Sequence, residues 1–319
     1  LLRDARDVDE YAFALGALAH YANDNTGHPE AVNRAVPMVY PKLRARFGDT
    51  VTYVDAPKEH VIVEFSFDIV QVAAGAYVPE SYHQFIGFKV ATPLLERAFR
   101  ETYALEMKDV FAHEDLAIST YRKSVSELIP EITRVAWRDK HEEIERLTPG
   151  VQQNAFVYRY TRRQFEQEFG ADYQRPGLFA RFVAFLYKLV PKIGPLKPLS
   201  FKTPTPEAER LFAESFKDTR ARFASSLDAV ARGRLDLPNT DFDTGKPAAH
   251  GEYALADDTY AELLHRLSDK QFNGVSRTLK RNIEAFYAAA PDRTASRKEH
   301  RRAEEIRKDL AALEAVHPK

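Results

Sequence analysis

The pattern of hydrophobic and polar positions along the chain predicts helices rather than strands. The stretch EYAFALGALAHY carries apolar residues nearly all round a helix, which indicates a core helix, and Asp7 or Asp9 can cap its start. A second helix is predicted over HVIVEFSFDIVQVAAG, residues 60–75, although its β-branched residues also allow a short strand. Strand signals are scarce elsewhere, so the sequence predicts an all-α protein.

Glycine, proline and charged residues predict where the helices begin and end. Gly27 and Pro29 are expected to end the first helix, and a helical turn and a long loop are expected after it. Two helices are predicted to flank the loop LDLPNTDFDTGKPAAHGEY, residues 235–253. The tail, residues 295–315, has Glu and Arg or Lys at helical spacing, which predicts a charged helix.

The composition of the chain limits which partners and which kinds of functional site are expected. The chain has 46 Lys and Arg against 47 Asp and Glu, so no global field attracts nucleic acid or anionic lipid, and a nucleic-acid partner is not expected. Cys is absent, which excludes disulfides and thiolate sites and leaves His, Asp and Glu to hold any metal. No run approaches the roughly 18 to 20 apolar residues that span a bilayer, so a soluble chain is expected.

Two stretches carry histidine and acidic residues at intervals of four. These residues are His20, Asp24 and His28 in the first stretch and His60, Glu64 and Asp68 in the second. Four residues advance about 40° round a helix, so each set is predicted to lie on one side of its helix. Both sets sit among apolar residues, where a carboxylate needs compensation that a divalent cation can supply. The alternative is a pair of neutral core histidines, each hydrogen-bonded to its neighbouring carboxylate.

The four-residue spacing between a histidine and an acidic residue does not by itself identify a metal site. Ten histidines and 47 acidic residues give roughly one or two H-x-x-x-[DE] pairs by chance. His141 with Glu145 and His300 with Glu304 have this spacing within charged sequence, which is typical of a solvated helix face. The remaining histidines are expected to be structural or exposed.

The stretch HYANDNTGH followed by HVIVE resembles the zinc-dependent phospholipase C family, whose signature pairs H-Y-x-x-D and a nearby His with a later H-x-x-x-E. The wider run from NRAVPMVYPKLRARFG to YHQFIGFKVATPLLERAF is similar to bacterial proteins assigned to that family. The resemblance covers roughly residues 1–145. It implies a multi-helical core over 1–145, followed by a helical C-terminal region of unknown role over 146–319.

The resemblance also implies a set of zinc ligands. His20 and Asp24 correspond to two ligands of one zinc, and Asp24 can also bridge to a third zinc. His28, His60 and Glu64 correspond to the complete protein ligand set of another, with an open position for water. The family's second His lies farther from the Asp and in a Pro-x-His context, whereas His28 directly precedes a proline, so the local path into the site is expected to differ.

Further ligands of the family lie upstream of the H-Y-x-x-D segment, and the sequence is expected to begin inside a domain. The complete protein is therefore expected to hold up to three zinc ions. The chain as given is expected to hold at most one well-formed zinc and to be weakly active or inactive. Asp68 is a candidate to orient a ligating imidazole. The family's general base is one of the upstream carboxylates, so no catalytic residue is assigned.

The resemblance implies a zinc-dependent hydrolase in which zinc-activated water attacks the phosphate of a phospholipid headgroup. The alternatives are a single-strand nuclease or phosphatase of the same superfamily, and a non-catalytic envelope protein stapled by zinc. LFARFVAFLYKLVPKIGPLK, residues 178–197, is a candidate for peripheral membrane contact, and its alternative is a core helix with a connector. Export from the cytoplasm is expected from the family.

Overall fold

The computed structural model describes residues 1–73, 90–111, 113–123, 202–288 and 297–318, together with short stretches between 137 and 153. Within these residues the chain forms helices and no strand, which confirms the predicted all-α class. An isolated antiparallel bridge pairs Thr240 with Pro247 in a loop. None of the described helices has both the length and the apolar character needed to cross a membrane.

The helices are numbered here in chain order. The first part of the chain contains α1 (Val8–Thr26), a π-helix (Gly27–Val32), α2 (Asn33–Val39), α3 (Pro41–Phe47) and α4 (Pro57–Ala73). It is followed by α5 (Thr92–Tyr103), α6 (Met107–Val110) and α7 (Glu114–Lys123). The last helices are α8 (Pro206–Ala231), α9 (Ala254–Asp269), α10 (Arg277–Ala288) and α11 (Arg297–Glu314). The helix predicted from residue 60, the two helices flanking the 235–253 loop and the charged tail helix are thereby confirmed.

The start of α1 follows the prediction, but its burial does not. Asp7 caps the helix, because its Oδ1 accepts a hydrogen bond of 2.8 Å from the backbone N–H of Glu10. Ala14 and Leu18 are buried, whereas Tyr11 is 39% exposed. The expectation of a helix buried all round was wrong, because α1 buries one face and leaves the other in solvent.

Gly27 and Pro29 do not end the helical path. Gly27 adopts a right-handed helical conformation, and the chain continues through the π-helix directly into α2. Pro29 has no N–H to donate, and the change to a wider hydrogen-bonding pattern lets the chain pass this residue without leaving helical geometry. The α-helix therefore ends at Thr26 with Gly27 as its C-cap, as predicted, but the chain stays helical beyond it, which was not predicted.

The chain divides into two compact units. Unit 1 comprises Leu1–Pro29, Ala91–Ala112 and Asp218–Lys319, and unit 2 comprises Glu30–Val90 and His113–Lys217. These units are defined by contacts between residues. The division into domains 1–145 and 146–319 stays a prediction.

The core of unit 1 is formed mainly by α9, α10 and α11. Leu264, Ile283 and Leu313 have no measurable exposure, and the rings of Tyr260 and Phe286 stack with centroids 3.7 Å apart. This packing buries one apolar face of each helix, which is the main source of stability for amphipathic helices.

The core of unit 2 brings α2, α4 and α8 together. Val36, Val63 and Phe67 are almost fully buried, and the ring of Phe67 stacks on that of Phe212 with centroids 4.9 Å apart. The loop before α4 joins this core because the N–H of Val51 donates to a backbone carbonyl of α2 over 2.9 Å. The start of α4 is thereby held firmly.

Candidate metal-binding residues

Three of the candidate residues lie together in unit 1, His20 and Asp24 on α1 and His28 at the start of the π-helix that follows it. The carboxylate of Asp24 lies between the two imidazoles, with Oδ2 3.3 Å from Nε2 of His20 and Oδ1 4.0 Å from Nε2 of His28. The structure therefore brings these residues to one side of the helix, as their spacing predicted. The carboxylate faces an imidazole on each side, which is a donor arrangement suited to zinc.

The three side chains differ strongly in exposure. His20 is 76% exposed, His28 is 26% exposed and Asp24 is 15% exposed. The expectation that His20 sits in an apolar interior was wrong, because the solvent face of α1 carries it. Asp24 is largely removed from water, where an ionised carboxylate requires compensation by a positive charge or by hydrogen bonds.

A second pair lies on α4 in unit 2. His60 is fully buried, and its Nδ1 lies 3.0 Å from Oε1 of Glu64, which is 35% exposed. On the other side of the ring, Nε2 lies 2.7 Å from Oδ1 of Asn33. Asn33 is itself 1% exposed. The buried imidazole is thus held between a carboxylate and an amide.

The ring nitrogen Nδ1 of His60 and the carboxylate of Glu64 form a pair of possible metal donors. When Nε2–H of His60 donates to Oδ1 of Asn33, Nδ1 presents a lone pair to a carboxylate oxygen of Glu64. Two lone pairs 3.0 Å apart repel unless a proton or a cation lies between them. Zinc bonds to histidine nitrogen at about 2.0–2.1 Å and to carboxylate oxygen at about 2.0–2.2 Å, so both atoms can bind one zinc ion. The donor pair therefore fits zinc, and a shared proton corresponds to the core-histidine alternative.

Asp68 lies one helical turn beyond Glu64 on α4. Its side chain is exposed at the surface, but desolvation by the surrounding protein raises the pKa of its carboxyl to about 6, and the negative charge of Glu64 adds to the shift. The role of Asp68 in orienting an imidazole stays a prediction.

Asp243 was not predicted from the sequence as a ligand. This residue is 8% exposed and belongs to unit 1, where one of its carboxylate oxygens lies within 4.8 Å of a ring nitrogen of His28. The hydroxyl of Tyr253 donates a hydrogen bond of 2.8 Å to Oδ2 of Asp243. Among the described residues of unit 1, His28 and Asp243 thus offer side chains that could hold a metal ion.

Other histidine and acidic residues with the same spacing lie in exposed positions. His265 and Asp269 have the same four-residue spacing, which the sequence analysis overlooked, and lie 3.7 Å apart with side chains 63% and 69% exposed. His141 and Glu145 are exposed, as predicted for a solvated helix face. Four-residue spacing alone does not therefore make a buried donor site.

Comparison with known proteins supports the resemblance drawn from the sequence. Residues 1–113 match a family model described as zinc dependent phospholipase C. The resemblance is confirmed for this part of the chain, which includes α1 and α4 with their histidine and acidic residues. No curated protein and no solved structure matches the chain.

Proposed function

We propose that this chain is a zinc-dependent phosphodiester hydrolase that acts on the headgroup of a phospholipid. The observation that carries the proposal is that the family-matched segment places Nδ1 of His60 3.0 Å from Oε1 of Glu64. Imidazole with carboxylate is the donor chemistry that hydrolytic zinc sites use.

The proposed zinc ligands are His20, Asp24, His28, His60 and Glu64. When bound, zinc supplies Lewis acidity toward phosphate oxygens and activates water as a nucleophile near neutral pH. Acceptance of the Nε2–H of His60 by Asn33 would favour the tautomer whose Nδ1 lone pair faces Glu64, the form in which both groups can bind a metal. The exposed His20 would be the ligand with the greatest access to solvent.

The test measures zinc content and turnover in the same preparation. Zinc is measured by mass spectrometry after dialysis, and hydrolysis is followed on phosphatidylcholine in detergent micelles, on a single-stranded oligonucleotide and on a phosphomonoester. The His60→Ala and Glu64→Gln variants are expected to lose bound zinc and turnover of phosphatidylcholine. The His141→Ala and Glu145→Gln variants are matched controls, because this exposed pair has the same spacing.

The outcomes separate the alternatives. Zinc-dependent release of the phosphorylated headgroup supports the proposal. Cleavage of the oligonucleotide alone would instead favour a nuclease, and cleavage of the monoester alone would favour a phosphatase. The chain as given is expected to be at most weakly active, so bound zinc without even weak zinc-dependent turnover on any substrate would favour a protein that zinc merely staples. Retention of zinc in the His60→Ala variant contradicts the ligand assignment.

Contact with a membrane surface and export are further parts of the proposal. The candidate membrane-contact segment, residues 178–197, lies outside the described residues, so it rests on its sequence alone. The change of Phe182 and Phe185 to Ser is expected to weaken sedimentation with phosphatidylcholine liposomes, because both rings would supply apolar contact. Undiminished binding would remove this segment from the proposal.

A further inference from the structure

The loop between α8 and α9, residues 232–253, is attached to α1 by side chains next to the candidate ligands. The hydroxyl of Tyr21 donates to the carbonyl of Pro238 over 3.0 Å, and its ring meets that of Phe242 edge to face with centroids 5.6 Å apart. The hydroxyl of Thr240 donates to Oδ1 of Asn25, which is 4% exposed. The loop is therefore fixed to α1 by hydrogen bonds and ring contact.

A third attachment lies about one turn beyond Asn25, at Pro29 in the π-helix. Gly245 has a φ of +71° and lies so close to Pro29 that a Cβ on the glycine would come within 3.0 Å of Cγ of the proline. The residues that hold the loop are Tyr21 and Asn25 on α1 and Pro29 in the π-helix. Each directly follows a candidate ligand, namely His20, Asp24 or His28. The residues that hold the loop thus run beside the proposed ligands along α1 and the start of the π-helix.

Hydrogen bonds within the loop hold its tip in one shape. The N–H of Asp241 donates a hydrogen bond of 2.8 Å to the carbonyl of Lys246, and the N–H of Gly245 donates one of 2.8 Å to the carbonyl of Asp241. The side chain of Asp241 also accepts from the N–H of Thr244 over 2.8 Å. Asp243 therefore extends from a closed turn and not from a freely moving segment.

We propose that Asp243 is a ligand of the zinc ion held by His28, and that Tyr253 is the positioning residue for this carboxylate. This inference rests on the proposed function. It adds a ligand from outside the family-matched segment, residues 1–113. One carboxylate oxygen would bind the metal while Oδ2 accepts the hydrogen bond from the hydroxyl of Tyr253.

The carboxylate and the imidazole are suitably placed for this role. The two ligand atoms lie no farther than 4.8 Å apart, and tetrahedral zinc with ordinary bond lengths separates its ligands by roughly 3.4 Å. The 92% burial of Asp243 keeps water from competing for its oxygens and makes a cationic partner favourable.

The first experiment tests Asp243 by zinc titration of the full chain against a chromophoric chelator. The Asp243→Asn variant is expected to bind zinc at least 10-fold more weakly, as is the His28→Ala variant. The Asp236→Asn variant is the matched control, because Asp236 is an exposed acidic residue of the same loop. Its zinc affinity is expected to remain within twofold of that of the native chain.

A direct test of coordination uses the absence of cysteine from the chain. The Asp243→Cys variant, loaded with Co²⁺, is expected to show a thiolate-to-metal charge-transfer band that the native chain cannot show. An Asp236→Cys variant is the control and is expected to show no such band. Circular dichroism of each metal-free variant establishes that it is folded. Absence of the band in a folded Asp243→Cys variant overturns the proposal.

The second experiment tests Tyr253. The Tyr253→Phe variant is expected to lower zinc affinity by about 10- to 100-fold, the usual effect of losing a hydrogen bond to a metal ligand. Tyr260→Phe is the control, because it removes a tyrosine hydroxyl that bonds to Asn239 and Asn282 and not to Asp243. Equal affinities of the Tyr253→Phe and Tyr260→Phe variants overturn the positioning role.

The variants also separate this inference from the proposed function. Loss of zinc binding in His28→Ala with native affinity in Asp243→Asn overturns the inference and leaves the proposed function in place. A native chain that binds no zinc overturns both. Weakened zinc binding in His28→Ala and Asp243→Asn, but not in Asp236→Asn, supports both.

Discussion

The Gly245→Ala variant tests whether the 232–253 loop is held tightly against α1. Gly245 has a left-handed φ of +71°, which costs a residue with a Cβ about 1–2 kcal/mol. The new Cβ would also lie 3.0 Å from Cγ of Pro29, inside the roughly 3.5–4.0 Å at which carbon atoms attract. Relief of such overpacking costs about 1–3 kcal/mol. The free energy of unfolding is therefore expected to fall by about 2–5 kcal/mol in total.

Gly233→Ala is the matched control. Gly233 has a similar φ of +64°, but nothing lies within 4 Å of the position that its Cβ would take. It bears only the backbone cost, so its loss of stability is expected to be smaller by about 1–3 kcal/mol. Urea denaturation gives both values, and hydrogen exchange at the amides of residues 241–246 reports local opening of the loop.

The two glycine variants also differ in their expected effect on zinc. Gly245→Ala moves the turn that carries Asp243, so its zinc affinity is expected to fall, whereas Gly233→Ala is expected to bind zinc as the native chain does. Equal losses of stability in the two variants would refute the close contact with Pro29. Native zinc affinity in Gly245→Ala, together with a clear loss of stability, would refute the link between the turn and the metal.

Three further predictions concern other parts of the molecule. Asn33→Ala is expected to weaken zinc binding by about 10- to 100-fold in a chelator competition assay, because the ring of His60 loses its orienting acceptor, and unchanged affinity would contradict this. Glu10→Gln is expected to lower the free energy of unfolding by about 3 kcal/mol in urea denaturation, because it leaves the largely buried guanidinium of Arg97 without its ionised partner. Arg44→Ala is the comparison variant, because it breaks an ion pair with Asp49 in which the two side chains are 63% and 79% exposed. It is expected to lower the free energy of unfolding by less than about 1 kcal/mol, and an equal loss in the Glu10→Gln and Arg44→Ala variants would contradict the role of burial. The pKa of Asp68 in the folded state, about 6, lies above its ordinary value of 3.8, so the folded state binds the proton more strongly than the unfolded state. The free energy of unfolding of the zinc-free chain is therefore expected to fall as the pH rises from about 4 to about 6. Asp68→Asn is expected to remove this fall, of about 1 kcal/mol after allowance for solvent screening, and parallel stability curves for the two proteins would contradict it.

The sequence predicted those parts of the molecule that depend on local spacing. The cap at Asp7, the helical state of α4 and the common side shared by His20, Asp24 and His28 each follow from residues within two helical turns. Such interactions are decided by backbone geometry, so the pattern alone is sufficient. Gly27 and Pro29 correctly predicted the end of α1, because both residues favour a helix end locally. The π-helix that continues from Gly27 was not predicted, because this wider helix has no clear signal in the pattern.

The remainder of the candidate site depends on contacts between distant residues. Asn33 reaches His60 by way of the packing of α2 against α4, and Asp243 reaches His28 through the attachments at Tyr21 and Asn25. No local periodicity links residues so far apart in sequence. The sequence DFDTG predicts a turn rich in acidic residues, but only tertiary packing decides whether its carboxylates meet solvent or a histidine.

The distribution of charge around His28 favours a cation there. Asp24 is 15% exposed and Asp243 is 8% exposed, so two carboxylates with restricted access to water approach the same imidazole. A single proton on the imidazole could balance one of these charges. Hydrogen bonds such as the one from Tyr253 stabilise an ionised carboxylate but add no positive charge. A divalent cation can balance both carboxylates while the imidazole stays neutral, which is the protonation state that metal coordination requires.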